Sequence, residues 1–257
     1  MADIVHRYGH IFNSCCQTLV NPVNCQGCMG KGLALLFACR YSRHTHPRML
    51  EAYRRASRTS DPKGQLRPGR LMLYKTPQGS PDPWVLQFPT KESWSESSRI
   101  EYIASGLEKF ALAFRQKGIV SVAFPLLGCD NGGLDEGQVI PLMERTLAPC
   151  DIPVEIWHYA QDAEDTMFSE LRSLMLERPN LINSLLEDLP RLKFGFKQRN
   201  YVSCLIASGD ARSMSDLLRL SSAGKQTATK CFALLNRLRS LAEADNAAVT
   251  NPGIMNP

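Results

Sequence analysis

No apolar run in this 257-residue chain approaches the roughly 20 residues a membrane-spanning helix requires, which excludes a helical membrane protein. The first residues, Met1-Ala2-Asp3-Ile4-Val5-His6-Arg7, lack the basic-then-apolar layout of a secretory signal; the expectation is a cytoplasmic protein without membrane contact. A disulfide framework is missing too, because the nine cysteines are odd in number and irregularly spaced. Cys25-Gln26-Gly27-Cys28 has C-x-x-C spacing, yet the second pair of ligands a zinc site wants is not there. No metal is expected, and the thiols read as small apolar side chains. There is no internal repeat. Nor does charge of one sign dominate. The net charge is +5, and residues from Glu177 onward carry 11 Lys and Arg against 7 Asp and Glu, leaving 19 against 18 for residues 1–176. The excess therefore sits in the last third, where it is compatible with nucleic acid or an acidic partner.

What is present is an alternation of short apolar runs and helical periods. Strands are expected within residues 3–12, at Leu19-Val20, at Arg70 to Tyr74 and Trp84 to Phe88, at Ile119 to Leu127 and at Val154 to Tyr159. The pair at 70–74 and 84–88 reads as a hairpin with a long Pro/Gly-rich loop. Helices are expected at 31–40, 47–58, 97–117, 139–147 and 166–176. The third has Ile100, Ile103, Leu107, Phe110 and Phe114 on one face. Asp61-Pro62-Lys63-Gly64 marks a turn. This order predicts a three-layer α/β/α domain with a mixed sheet over residues 1–176. Residues 177–245 form a small, mainly α-helical C-terminal region, and 246–257 a disordered tail. Within the C-terminal region, 181–201 is mixed in character. Residues 215–220 and 225–241 read as helices joined by Ser221-Ser222-Ala223-Gly224, which fits a DNA-contacting helix-turn-helix or two antiparallel packing helices.

Two turns carry the chemistry. In the first, Thr18-Leu19-Val20 leads through Asn21-Pro22-Val23-Asn24 into Gly27, Gly30, Lys31 and Gly32, and then into an apolar helix. In the second, Phe124-Pro125-Leu126-Leu127 leads through Gly128-Cys129-Asp130-Asn131-Gly132-Gly133-Leu134-Asp135 into another helix. A Gly-rich turn at a helix N-terminus presents backbone N–H groups to an anion. An amide side chain beside it can hold sugar hydroxyls. Two such turns at the carboxyl ends of strands would clamp a diphosphate joined to a ribose. Lys91 follows an apolar strand and Pro89, so it falls where a strand end meets the cleft. Apolar walls would lower its pKa and free the amine as a nucleophile; an isolated lysine beside Glu92 is otherwise a surface residue. Asp135 precedes a helix, where a carboxylate either caps the helix or moves a proton in glycosidic cleavage. Lys31 either neutralises a phosphate or points to solvent. Trp94 either covers the acceptor side or packs on the sheet.

Taken together, Asn21-Pro22-Val23-Asn24, Met29-Gly30-Lys31-Gly32-Leu33-Ala34, Phe88-Pro89-Thr90-Lys91 with Trp94 and Ser98-Arg99, and Gly133-Leu134-Asp135 resemble the macrodomain family. The wording is similar to its DarG-type antitoxin and terminal ADP-ribose protein glycohydrolase branch, over roughly residues 1–160. The resemblance implies ADP-ribose as ligand and product, with no other cofactor. It implies Lys91 and Asp135 as the catalytic pair and Asn24 at the distal ribose. Ligand contacts are implied from His10 and Ile11, from Gly27, Met29, Gly30, Lys31 and Gly32, from Thr90, and from Gly128, Cys129, Asn131, Gly132, Gly133 and Leu134. Many members have an aspartate that reads the adenine amino group where this chain has His10, and a neutral imidazole is the weaker acceptor. Asn21 reads as structural.

The function this implies is removal of ADP-ribose from modified DNA bases, opposing a cognate ADP-ribosyltransferase toxin. The rivals are hydrolysis of protein-linked ADP-ribose, a non-catalytic ADP-ribose reader, and a regulator that contacts DNA through the C-terminal region. In the resembling proteins a further C-terminal region binds the toxin. Here that region is basic, the wrong sign for a segment that imitates DNA.

Overall fold

The computed structural model describes residues 3–61, 64–220 and 224–250. Six strands form one sheet: β1 (Asp3–Tyr8), β2 (Thr18–Asn24), β3 (Met72–Tyr74), β4 (Trp84–Lys91), β5 (Val122–Pro125) and β6 (Pro153–His158), in the order β1-β6-β5-β2-β4-β3. All neighbours are parallel except β3, which runs antiparallel to β4 at the edge. The carboxyl ends of the five parallel strands therefore share one rim.

Alternation along the strands sends side chains to two cores. Leu19, Val85, Ala123 and Trp157 face α1 (Gly32–Arg40) and α2 (Pro47–Arg58), packing with Phe37, Met49 and Tyr53. Val20, Leu86, Phe88, Val122, Phe124 and Ile156 face α3 (Ile100–Lys117) and α4 (Glu136–Leu147), packing with Ile103, Leu107, Phe110 and Met143. The expected apolar face of α3 is buried at Ile103, Leu107, Phe110 and Phe114. The expected three-layer arrangement with a mixed sheet is what the chain adopts.

A further layer lies outside α1. It consists of α5 (Thr166–Leu176), α6 (Pro179–Glu187), α7 (Phe196–Ser208), α8 (Met214–Leu220) and α9 (Gly224–Thr250), which share one apolar cluster. Cys39 belongs to that cluster, and Phe12, Leu35 and Leu36 pack against it. The boundary expected after residue 176 thus runs through this layer: Phe168, Leu171 and Leu174 of α5 pack with the C-terminal helices and not with the sheet. The mixed stretch 181–201 contains most of α6 and the start of α7. Along α9, Thr227, Ala228 and the run Cys231 to Leu235 are buried, while Lys225 and Gln226 are exposed. The expected disordered tail is partly helix, since α9 continues to Thr250; residues 251–257, the link Ser221-Ser222-Ala223, Pro62-Lys63 and Met1-Ala2 lie outside the described residues. No helix among the described residues is long and apolar enough to cross a membrane.

Candidate active site

The site forms where the chain leaves β2 and β5 in opposite directions. β2 runs beside β4 along its whole length but pairs with β5 only at Thr18 and Leu19. Its helix lies on one face of the sheet and the helix after β5 on the other. A crevice opens at such a switch point, outside the carboxyl ends of the strands.

β4 supplies the lysine. Val23 pairs with Pro89 and Asn24 with Lys91, so Thr90 is an extra residue in the ladder. Proline has no N–H to give a ladder, and a bulge re-aims the side chain that follows it. Thr90 is buried, with its hydroxyl donating to the Val23 carbonyl at 3.4 Å. Lys91 Nζ donates to the backbone oxygen of Asn131 at 2.7 Å, so the amine lies against the second Gly-rich loop. Burial lowers the Lys91 pKa from the ordinary lysine value.

The first loop, 25–31, is folded around Asn24. The Asn24 amide oxygen accepts from the Gln26 N–H at 3.0 Å and the Cys28 N–H at 3.4 Å, and its Nδ2 donates to the Cys28 carbonyl at 2.6 Å. The Tyr53 hydroxyl donates to the Asn24 backbone oxygen at 2.7 Å. Asn24 is therefore engaged in the turn it begins. Asn21 is fully buried; its Nδ2 donates to Gln87 Oε1 of β4 at 2.9 Å and lies 3.7 Å from the sulfur of Met29. That ties strand to strand and strand to loop, as a structural asparagine would. Met29 is buried, Gly30 and Lys31 are exposed, and Lys31 stands at the N-cap of α1. Gly27 packs beside Ser57 and Arg54 of α2.

The second loop, 126–135, is closed on itself. Leu134 N–H donates to Gly128 O at 2.9 Å, Gly133 N–H to Cys129 O at 3.1 Å, and Ser98 N–H to Gly132 O at 2.9 Å. Any Cβ at Gly132 would collide with the Gly128 carbonyl and the Ser98 hydroxyl, and Gly128 has a left-handed φ of 76°, so glycine is required at both. Cys129 is half-buried, and burial, reinforced by nearby carboxylates, pushes its thiol up to about 11. The two loops meet where Asn131 Nδ2 comes within 2.7 Å of the position a Gly32 Cβ would take. Among the described residues, the N–H groups of Gly30, Lys31, Asp130, Asn131 and Gly132 make no protein hydrogen bond, leaving donors from both loops around one gap.

Asp135 is exposed at the N-cap of α4, and its side chain accepts no capping bond from the first turn. Its carboxylate leans over Gly137 instead. On the far side of the rim, Ile11 is buried in a short 3-10 turn and His10 is buried edge-on to Tyr159. His10 Nε2 has no partner, and Nδ1 lies 4.0 Å from the Asp165 carboxylate. Asp165 caps α5 by accepting from Phe168 N–H at 3.1 Å, and takes a second bond from Met214 N–H at 2.9 Å. The helical layer thus reaches the rim beside His10.

Three residues in this geometry were not legible as site residues. Tyr53 reads as one apolar position of α2, Gln87 as an ordinary strand polar, and Asp165 as a helix cap; only the cap has a local signal, a carboxylate just before Thr166-Met167-Phe168. All nine cysteines are free, and burial, with Glu92 nearby, pushes the Cys25 thiol up to about 12. Among the described residues no group of three or more His, Cys, Asp or Glu side chains is placed to hold a metal.

Comparison with known proteins agrees with this geometry. The macro domain family profile matches residues 20–143. A Mycobacterium tuberculosis protein named DNA ADP-ribosyl glycohydrolase is 38% identical over 132 residues, which are 51% of this chain and 35% of that relative. The matched stretch thus spans about a third of the curated relative's length. Among solved structures, the macrodomain of Mycobacterium tuberculosis DarG superposes with a TM-score of 0.56 at 33% identity, covering 62% of this chain and all of that one. Thermosipho africanus DarTG in complex with ADP-ribose gives a TM-score of 0.51 at 33% identity, covering 63% of this chain and 43% of that one. With its sheet order, its two glycine loops and these relatives, the chain belongs to the macrodomain family.

Proposed function

We propose that the chain is a DNA ADP-ribosyl glycohydrolase that releases ADP-ribose from modified bases, opposing an ADP-ribosyltransferase toxin. The observation that carries this reading is Lys91, re-aimed by the bulge at Thr90 so that its Nζ meets the Asn131 carbonyl of loop two. The similarity to proteins named for this activity, and to a protein solved in complex with ADP-ribose, supports the ligand. The diphosphate lies between the free N–H groups of the two loops, and the distal ribose faces Lys91. Asn24 reaches the sugar only through the part of its amide not used in the turn.

In the neutral form Lys91 attacks the anomeric carbon. The bond from that carbon to the base breaks, and Asp135 passes the proton lost by the attacking nitrogen to the leaving base. The sugar ring opens to a Schiff base on Lys91. Water adds to it, the carbon–nitrogen bond breaks, and the free amine and ADP-ribose are restored. The test is release of ADP-ribose from a modified single-stranded oligonucleotide, with modified protein run in parallel. Release that survives Lys91→Ala unchanged removes the nucleophile, and release from protein alone removes DNA as the acceptor.

A further inference from the structure

In loop two the carbonyls of Gly128, Cys129, Asp130 and Gly132 each accept from a backbone N–H. The Asn131 carbonyl differs, since it accepts from Lys91 Nζ at 2.7 Å. That contact holds the nucleophile back, because a carbonyl acceptor favours the charged form of the amine. The peptide joining Asn131 to Gly132 is also the one best able to turn over. In a trans peptide C=O and N–H point opposite ways, so the Gly132 N–H faces away from the amine. It makes no protein hydrogen bond among the described residues, and rotation therefore breaks no backbone bond. The Gly132 φ is not positive in this structure. Turning the peptide over carries it into the positive range, which glycine enters freely, and asparagine tolerates the change on its side. Beneath the loop, two residues ahead of α3, lies Ser98. It is 6% exposed, and its Oγ has no partner. That oxygen would stand 2.4 Å from a Cβ at Gly132 and 3.2 Å from one at Gly128, so it lies against the peptide that can turn. A buried hydroxyl without a bond calls for an explanation.

We infer that the Asn131–Gly132 peptide turns over when ADP-ribose binds, and that Ser98 is the positioning residue that holds it in that setting. Turned over, the Asn131 carbonyl leaves Lys91 and accepts from the Ser98 hydroxyl. On the amine's side of the crevice an N–H donor then replaces a carbonyl. That suits an anionic ligand and disfavours an ammonium. Lys91 is thus released as a neutral amine only with ligand in place. The inference rests on the glycohydrolase reading for what the released amine attacks.

Three readouts need no turnover. Ser98→Ala removes a hydroxyl that is unbonded in the free protein, so the denaturation midpoint of the free chain is no lower than the parent's. ADP-ribose affinity by calorimetry falls about tenfold, because only the turned-over form loses a bond. Ser98→Cys, similar in shape and weaker as a donor, falls between the two. A crystal of the full chain with ADP-ribose shows the Asn131 carbonyl bonded to Ser98 Oγ. The fourth readout is the pH profile with a modified oligonucleotide. In Ser98→Ala the pH at which kcat levels off rises by about one unit, the equivalent of a tenfold change, and the plateau is retained. A lowered midpoint with unchanged ADP-ribose affinity would make Ser98 a structural residue only and overturn the proposal. An Asn131 carbonyl still on Lys91 in the complex would overturn it too. Weaker ADP-ribose binding in Ser98→Ala, in a chain whose parent releases no ADP-ribose from DNA or protein, would reject the glycohydrolase reading and leave the turning peptide standing. Release by Ser98→Ala with the parent's affinity and pH profile would reject the turning peptide and leave the activity standing.

Discussion

Thr90 shows how one residue sets chemistry. Inserted opposite the junction of Val23 and Asn24, it turns the next side chain from a ladder position into the crevice, where burial lowers the Lys91 pKa. If Lys91 is the nucleophile proposed above, it acts unprotonated, and that fixes the sign of the pH dependence. The kcat/KM for ADP-ribose release rises with pH and levels off below the ordinary lysine range. Lys91→Ala lowers the plateau by about a hundredfold or more, while calorimetry still finds ADP-ribose bound; a profile that falls with pH would reject the neutral amine. A second residue has the opposite sign. Asp82 is buried, bonded by Arg40 at 2.8 Å, His46 at 2.9 Å and Asn236 at 2.7 Å. Burial alone would raise its pKa, but the Arg40 charge and the bonds from His46 and Arg40 outweigh it and hold the carboxyl at about 2. A depressed carboxyl pKa contributes stability that is complete above about pH 4 and lost as pH falls through the folded value. Asp82→Asn, which leaves Arg40 buried without its counter-charge, costs about 3 kcal/mol in denaturant titrations near neutrality. The gap between variant and parent narrows as pH approaches about 2; a gap independent of pH would mean the charge is not what matters.

At the scale of elements, the parts that were legible are those where one physical signal acts alone. α3 repeats apolar residues on a single face, and all but its ends were fixed by that spacing. The central strands alternate between two cores. α6 and α7 were not legible because their burial is slight and their punctuation dense. α7 buries only Val202 and Ile206 while Phe196 is exposed, and Pro190 and Gly195 interrupt the stretch before it. The tail expected beyond Asn246 had no apolar period to reveal a helix that continues from a buried segment. Of the candidate site, the loops could be read from glycine and the lysine from its strand. The engagement of Asn24 within its own turn could not, since it depends on Cys28 and Tyr53 coming together in space. Loop two makes a sharp test of its element. Gly132→Ala forces the Gly128 carbonyl and Ser98 apart, and overpacking of this kind costs roughly 1–3 kcal/mol. ADP-ribose affinity by calorimetry falls about tenfold or more, with the far-UV spectrum retained. Unchanged affinity would show that the loop's closed form is not the binding form.

For the molecule as a whole, α1 decides how far the chain divides into parts. From Leu33 to Cys39 its sequence, Leu33-Ala34-Leu35-Leu36-Phe37-Ala38-Cys39, is apolar on every side, and such a helix is covered on more than one face. The sheet covers Phe37 and Ala38, and the outer helices cover Leu35, Leu36 and Cys39. Polar ties run across the same junction, from Asn236 to Asp82 and from Cys39 Sγ to the Lys225 carbonyl. Sheet and helical layer should therefore unfold together. The tryptophans make this measurable, because Trp84 and Trp157 lie in β4 and β6 and the outer layer has none. Phe232 of α9 is buried and meets Phe12 edge-on at 5.9 Å; Phe232→Ala removes about 3–5 kcal/mol from the outer cluster. If α1 couples the layers, the denaturation midpoint read by tryptophan fluorescence shifts with the midpoint read by circular dichroism. An early loss of helix with the fluorescence midpoint in place would mean that the sheet closes its core without the outer layer, and that α1 is covered for some other reason.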